Sequence, residues 1–256
     1  MISRIATALF IMLFSVNNVI CQEKQSSLKE NTFIMATFRA ENEYMGKWFR
    51  LIYTEIFKRL DMKIEFKDYP IKRAGIELDA GNIDGNPGRI YPYADEHPNL
   101  IRVEESILNV NFSAFAVKDF IPQLNGWDSL KGTNYRVEYR RGITIFEIKL
   151  PKIVSKENLS DITDAAQGLK KLVSDRTDLF MGEEIGIFTL LQTPEFKNSK
   201  IRFAGLMESS PLYPYLHKKH ALLAPKIAEI IKAMKAEGLI EQYRIMLDNE
   251  FSFVRN

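Results

Sequence analysis

The chain has 256 residues, 46% hydrophobic and 27% charged, with a formal net charge of +2. That is the composition of a globular protein with ample apolar material for a core, in one large domain or two of about 100–150 residues each. The near balance of charge, with no long basic or acidic run, gives no electrostatic footprint for nucleic acid.

The N-terminus reads as an export signal. Arg4 precedes a run over residues 5–14 that is almost wholly apolar. Such a run is too short for a membrane-spanning helix, which needs roughly 20 residues, and suits the core of a secretory signal. Cleavage after Cys21 puts Val19 and Cys21 at the two positions that should be small, so residues 1–21 are expected as a signal peptide. An uncleaved anchor or a buried helix is the competing reading. A lipid anchor at Cys21 is disfavoured, because that chemistry wants a small residue before the cysteine and Ile20 is branched. Cys21 is the only cysteine. The mature chain then has no thiol for a disulfide or a nucleophile, which suits a bacterial periplasm.

Residues 22–31 are polar and read as a leader. Residues 32–38, TFIMATF, form a predicted buried strand. Phe49, Ile52, Tyr53, Ile56, Phe57 and Leu60 make one apolar helical stripe. Residues 63–69 alternate as a strand, and Pro70 opens a helix over 71–81 closed by Gly81. Strand, helix, strand, helix argues α/β with parallel strands. GNIDGNPGRIYPY, residues 81–93, reads as a sharp turn at a strand end. Strands are predicted over 100–105 and 110–118, a short helix over 127–132, a strand over 135–139 and a helix from RRGITIFEIKL. Ile162, Ala165, Ala166, Leu169, Leu172 and Val173 form a further helical stripe. A strand over 177–184, a helix after it, a strand over 201–206 and two helices broken at Gly238 complete the chain. No internal repeat or long linker divides it.

Residues 81–93 match neither the phosphate loop nor the dinucleotide turn. They also lack the alternating oxygen ligands of a calcium loop. His97, His217 and His220 fit no zinc spacing, and no Gly-x-Ser-x-Gly nucleophile turn exists. No metal or cofactor is expected. A paired-carboxylate hydrolase stays open, because the separation of two acids in space is invisible in a sequence.

The order of features carries a resemblance. A signal is followed by a βαβα half, then Gly-x-Ile-Asp-Gly leading to PNLIRVEESI. After these come Trp-x-Ser-Leu-Lys-Gly, a strand with RRGIT, RTDLFMGEE, and KKHALLAPKIAEIIKAMKAEGLIEQY. Over nearly all of the mature chain this resembles the type II periplasmic solute-binding proteins, in particular family 3, whose better-known members bind polar amino acids. The resemblance implies an α/β fold of two lobes, each a mostly parallel sheet flanked by helices, joined by two crossover strands with ligand in the cleft. Lobe 1 is expected over 22–117 plus 209–256 and lobe 2 over 118–208, with the C-terminal helices returning to lobe 1.

The resemblance also implies a site. An acid five positions after the strand aspartate takes the ligand ammonium in amino-acid binders; here Asp178 leads to Glu183. The turn Gly142-Ile143-Thr144, preceded by Arg140 and Arg141, is expected to offer backbone N–H groups to a carboxylate. The family's cleft arginine is missing, because Asp95 and His97 occupy the counted positions. Arg89 is the expected substitute clamp, against a surface arginine on a structural turn. Tyr44, Tyr91 and Tyr93 are candidate aromatic walls, with ordinary packing as the alternative. Arg73 is a candidate cleft residue at a helix start, against a solvated one. Asp84 is expected to support the turn, Trp127 to pack a lobe, and Phe38 and Phe115 to lie in the core.

The implied function is capture of a small polar solute, amino-acid-like ones among the candidates, by lobe closure and delivery to a membrane ABC permease. A monomer is expected. The alternatives are a periplasmic sensor that reports to a receptor, or a dehydratase-like enzyme with Glu183 as general acid.

Overall fold

The computed structural model describes residues 32–251. The signal expected over residues 1–21 and the leader over 22–31 lie outside the described residues. Strand β1 (Phe33–Thr37), helix α1 (Tyr44–Arg59), strand β2 (Ile64–Asp68) and helix α2 (Ile71–Asp79) follow the predicted alternation. β1 and β2 pair in parallel, as a strand–helix–strand unit demands. The stripe on α1 is buried from Tyr44 to Phe57.

The next strand, β3 (Gly85–Arg89), departs from expectation: GNPGR is a buried strand, not a turn. Gly, Asn and Pro are depleted in strands, so local propensity conceals it. Tertiary packing decides the matter. The small residues let Phe33, Phe49 and Leu212 sit directly on the strand backbone. The Tyr53 hydroxyl donates to the Pro87 carbonyl at 2.6 Å.

Strands β4 (Leu100–Arg102), β5 (Leu108–Ala116) and β6 (Val137–Arg140) follow, then helix α3 (Thr144–Lys149), strand β7 (Leu159–Ile162) and helix α4 (Ala165–Val173). Strand β8 (Leu179–Glu183), helix α5 (Glu184–Leu191), strand β9 (Arg202–His217) and helices α6 (Ala224–Ala236) and α7 (Leu239–Glu250) end the described chain. Ile162, read as the start of a helical stripe, belongs to β7.

The strands run in the order β2-β1-β3-β9-β5-β8-β6-β7, with β4 also on β9. They fall into two groups. β1, β2 and β3 are mutually parallel and meet the end of β9. β6, β7 and β8 are mutually parallel and reach β9 through β5. β9 changes partners between Leu212, which faces β5, and Tyr213, which faces β3. Pro211 and Pro214, neither with an N–H to donate, bracket that switch. Residues 108–116, expected on the lobe 1 side of the division, pair with β8 and β9 in the second group. The C-terminal helices pack on α1: Trp48 Nε1 donates to the Ile240 carbonyl at 3.3 Å, and Arg59 pairs with Glu237 at 2.6 Å.

Two buried aspartates tie down the amino ends of the parallel strands. Asp84 accepts from the Ile34 backbone N–H, from His220 Nε2 and from Lys219 Nζ, each at 2.7 Å. Expected to support a turn, it instead anchors the start of a strand. Asp178 accepts from Lys118 Nζ at 2.6 Å and from the Arg136 backbone N–H at 2.8 Å. Burial alone would raise the Asp178 pKa, but the Arg136 and Lys118 hydrogen bonds outweigh it and hold the carboxyl below its ordinary 3.8.

Gly46 lets the chain turn tightly from β1 into α1; a Cβ there would lie 1.9 Å from the Ala40 carbonyl oxygen. Gly46→Ala is expected to cost about 1–3 kcal/mol through backbone displacement, read as a lower midpoint in urea unfolding. A depressed carboxyl pKa stabilises the fold above the unfolded-state value, and that contribution disappears as pH falls through and below about 4. Asp178→Asn should therefore lower stability at pH 7 by about 1.5–3 kcal/mol. Its stability should also fall less steeply below pH 4 than that of the wild type, as thermal melts across pH would show.

Candidate functional site

Parallel strands present their carboxyl ends, where loops and helix starts converge, to one crevice. Here those ends carry Arg39 (two residues past β1), Arg89 (last of β3), Arg140 (last of β6) and Glu183 (last of β8). The first two come from one strand group and the last two from the other. The four bring charge to the gap between the groups.

Arg39 is fixed by its own backbone. Its N–H donates to Thr37 Oγ1 at 3.2 Å, and its carbonyl accepts from Thr37 Oγ1 at 3.1 Å and from Arg50 Nη1 at 3.3 Å. The buried guanidinium forms an ion pair with Glu183 across the gap. Arg89 is 5% exposed. Its Nη1 donates to the Gly142 carbonyl at 3.2 Å and its Nη2 to the Ile71 carbonyl at 3.1 Å. Its cation lies 4.8 Å from the ring centroids of both Phe38 and Tyr93. Arg140 Nη2 donates to the Phe38 carbonyl at 3.4 Å. The Nε atoms of Arg89 and Arg140 are buried without a hydrogen-bond partner.

Burial lowers the pKa of all three arginines. For Arg39, burial and then the neighbouring Arg140 charge bring it down to about 9. It remains a cation at neutral pH.

Two hollows open beside these charged strand ends, between the strand groups. One of about 110 Å³ is lined by Arg39, Arg140, Glu183, Tyr44, Met45 and Ile143, among others. A smaller one of about 20 Å³ is lined by Phe38, Arg89, Ile143, Thr144 and Glu183, among others. Glu183 and Ile143 line both. These volumes fall well below the roughly 300–1,000 Å³ of drug-sized sites and suit a compact guest.

The structure thus brings Arg89, Glu183, Ile143 and Thr144 together, with Tyr44 in the wall. Tyr44 is 1% exposed, and its hydroxyl donates to Asp248 Oδ1 on α7 at 2.5 Å. Its ring packs and its polar tip is engaged elsewhere. Gly142 adopts φ +84. Its N–H does not face a guest but donates to Glu147 Oε1 at 3.1 Å, while its carbonyl takes Arg89. The expectation that this N–H serves a ligand carboxylate is corrected accordingly.

Arg73 is outside the cleft. On α2 the buried face is Ile71, Ala74, Gly75 and Leu78; Arg73 falls on the solvent face and pairs with Glu77 on its own helix. Tyr91 lies away from the Arg89 and Glu183 cluster, in a third opening between the strand groups. It is 54% exposed, with Arg102 stacked 3.3 Å from its ring centroid, and it lines a separate groove of about 250 Å³ with Ile90, Lys149 and Glu208. Of the positions counted for the family arginine, Asp95 is exposed and His97 lies against Tyr93, with ring centroids 4.4 Å apart. Phe38, expected in the core, is a wall of the cleft. Sequence reasoning passed over Arg39, although its place just beyond the first parallel strand was a usable signal. No cluster of three or more metal-ligating side chains occurs among the described residues.

No family model matches the sequence. An uncharacterized protein of Shewanella oneidensis is 35% identical over 246 residues, covering 95% of this chain and 93% of that protein. The chain belongs to one family with that protein. Among solved structures, an ancestral arginine-binding protein bound to arginine superposes with a TM-score of 0.69 at 18% identity, covering 84% of this chain and 97% of the other. The substrate-binding protein AbpA of a Streptococcus pneumoniae amino acid ABC transporter, bound to L-arginine, gives 0.68 at 13% identity, covering 88% and 97%. A histidine kinase sensor domain with similarity to periplasmic binding proteins gives 0.70 at 16% identity, covering 86% and 96%. The chain has the type II periplasmic-binding-protein fold, and its structural likeness to family 3 amino-acid-binding proteins spans most of its length.

Proposed function

We propose that this protein captures a small polar solute by closing two halves over it and hands the solute to a membrane permease. One observation carries the reading: charged side chains from the strand ends of both groups line two hollows that meet at Glu183 and Ile143, and contacts already bridge the gap. Arg89 reaches the Gly142 carbonyl, Arg140 the Phe38 carbonyl, Arg39 the Glu183 carboxylate, and Lys72 pairs with Glu147 at 3.0 Å. The apolar-rich stretch over residues 5–14 supports export to the periplasm, where such a carrier works.

We place the hinge where β9 changes partners, at Leu212 and Tyr213, and at the segment before β5. Closure removes water from the hollow, so each guanidinium contact to a guest is worth about 1.5–3 kcal/mol. Binding is favoured over dehydratase chemistry because Glu183 is ion-paired to Arg39. A carboxylate held by a cation is a poor proton donor. A sensor that reports ligand state to a receptor uses the same closed form, and the likeness to the histidine kinase sensor domain supports that second reading.

The test is a thermal-shift panel of amino acids and small organic acids on the mature chain, with small-angle scattering for compaction. A true solute at a hundredfold excess over its Kd should stabilise the protein by about 2.7 kcal/mol. Arg89→Ala should weaken its binding by roughly one to two orders of magnitude. Unchanged affinity in Arg89→Ala would show that the guest sits elsewhere. Co-purification with a permease or with a receptor kinase would separate transport from sensing.

A further inference from the structure

We propose that the solute is a small dicarboxylate dianion that carries no ammonium group, an inference that rests on the closing cleft described above. Three guanidiniums converge on Phe38. Arg39 and Arg89 lie 5.3 and 4.8 Å from its ring centroid, and Arg140 donates to its carbonyl at 3.4 Å. Only one carboxylate deep in the hollow faces them, that of Glu183, and Arg39 already holds it. The other nearby acids are engaged or at the rim. Glu147 pairs with Lys72, Asp164 caps α4 by accepting the Gln167 N–H at 2.9 Å, and Glu43 is exposed.

An acid that receives an ammonium must be open to it. Glu183 is instead the counter-ion of Arg39, and among the described residues Arg89 and Arg140 have more distant acids nearby but no carboxylate in ion-pair contact. Each also keeps a buried Nε–H with no acceptor, and a buried donor left unpaired is costly. Both faults are corrected by the same guest, one that brings two anionic groups and no positive charge. Arg89 and Arg140 belong to opposite strand groups, so a carboxylate on each would draw the halves together. A zwitterion would bring its ammonium up against the three guanidiniums gathered at Phe38, and like charges in a desolvated site repel strongly. The depressed pKa of Arg39, due first to burial and then to the Arg140 charge, agrees with crowded positive charge.

The experiment compares glutarate with L-glutamate, which differ only by the ammonium, on the full mature chain by calorimetry. Succinate, inorganic phosphate, L-glutamine and L-arginine complete the series. Glutarate or succinate should bind, and L-glutamate should bind at least tenfold more weakly than glutarate. Glu183→Gln should tighten dicarboxylate binding about fivefold or more, because it frees Arg39 for the guest. An ammonium-receiving acid would give the opposite sign.

Arg140→Lys, which keeps the charge and loses the planar fork, should weaken dicarboxylate binding about tenfold. It provides the readout if Glu183→Gln fails to fold. Tight binding of glutamine, arginine or phosphate, loss of binding in Glu183→Gln, or unchanged affinity in Arg140→Lys would overturn the dianion assignment. Capture of any such solute with compaction would leave the carrier reading standing. If nothing in the series binds and native mass spectrometry shows no carried-over solute, both readings fail.

Discussion

The structure depends on a concentration of positive charge that the protein keeps away from water. Arg39, Arg89 and Arg140 meet around a single phenylalanine, and one glutamate answers them. Burying an ionised side chain is costly unless it is paired and hydrogen-bonded. The fold meets most of that demand with backbone carbonyls of Ile71, Gly142 and Phe38 and with the Arg39–Glu183 pair. Aromatic faces supply more, since a guanidinium is attracted to the electron-rich face of a ring. What is left over is the capacity of the site to recognise something.

Holding such a cluster requires a stiff frame behind it. Asp84 and Asp178 supply this at the opposite ends of the strands, each with a set of charge-assisted hydrogen bonds. The strands are therefore pinned at their amino ends and present their chemistry at their carboxyl ends. The same division recurs in both strand groups, so two similar half-sites face each other. The solved structures compared above share this architecture at 18% identity or less. The frame persists while the side chains at the strand ends are free to differ.

How much of this was legible in the sequence depends on how local the signal was. Apolar periodicity located α1 and the strand–helix alternation, because burial of one face leaves a 3.6-residue or two-residue imprint. It failed at GNPGR, where neighbours rather than the strand's own residues supply the apolar packing. Arg39 and its partner Glu183 are separated by a long stretch of chain, so no spacing rule reports the pair. Arg73 and Tyr91 show the same limit from the other side. Each has suitable chemistry at a suitable place in the order of elements, but helix phase turns one outward and a stacked Arg102 holds the other in a different groove. The resemblance pointed to Glu183, Ile143 and Thr144, which line the hollows, because position along a shared frame survives divergence. It could not show that the acid was already occupied.

β9 belongs to both strand groups at once, and its two prolines thin the ladder where it passes from one to the other. In the closure proposed above, a continuous ribbon of this kind would serve as a leaf flexure does in a machine, compliant about one axis and stiff in shear. Such a joint would confine the halves to a single swing, and the arginines on one jaw would meet the other in the same register on every stroke.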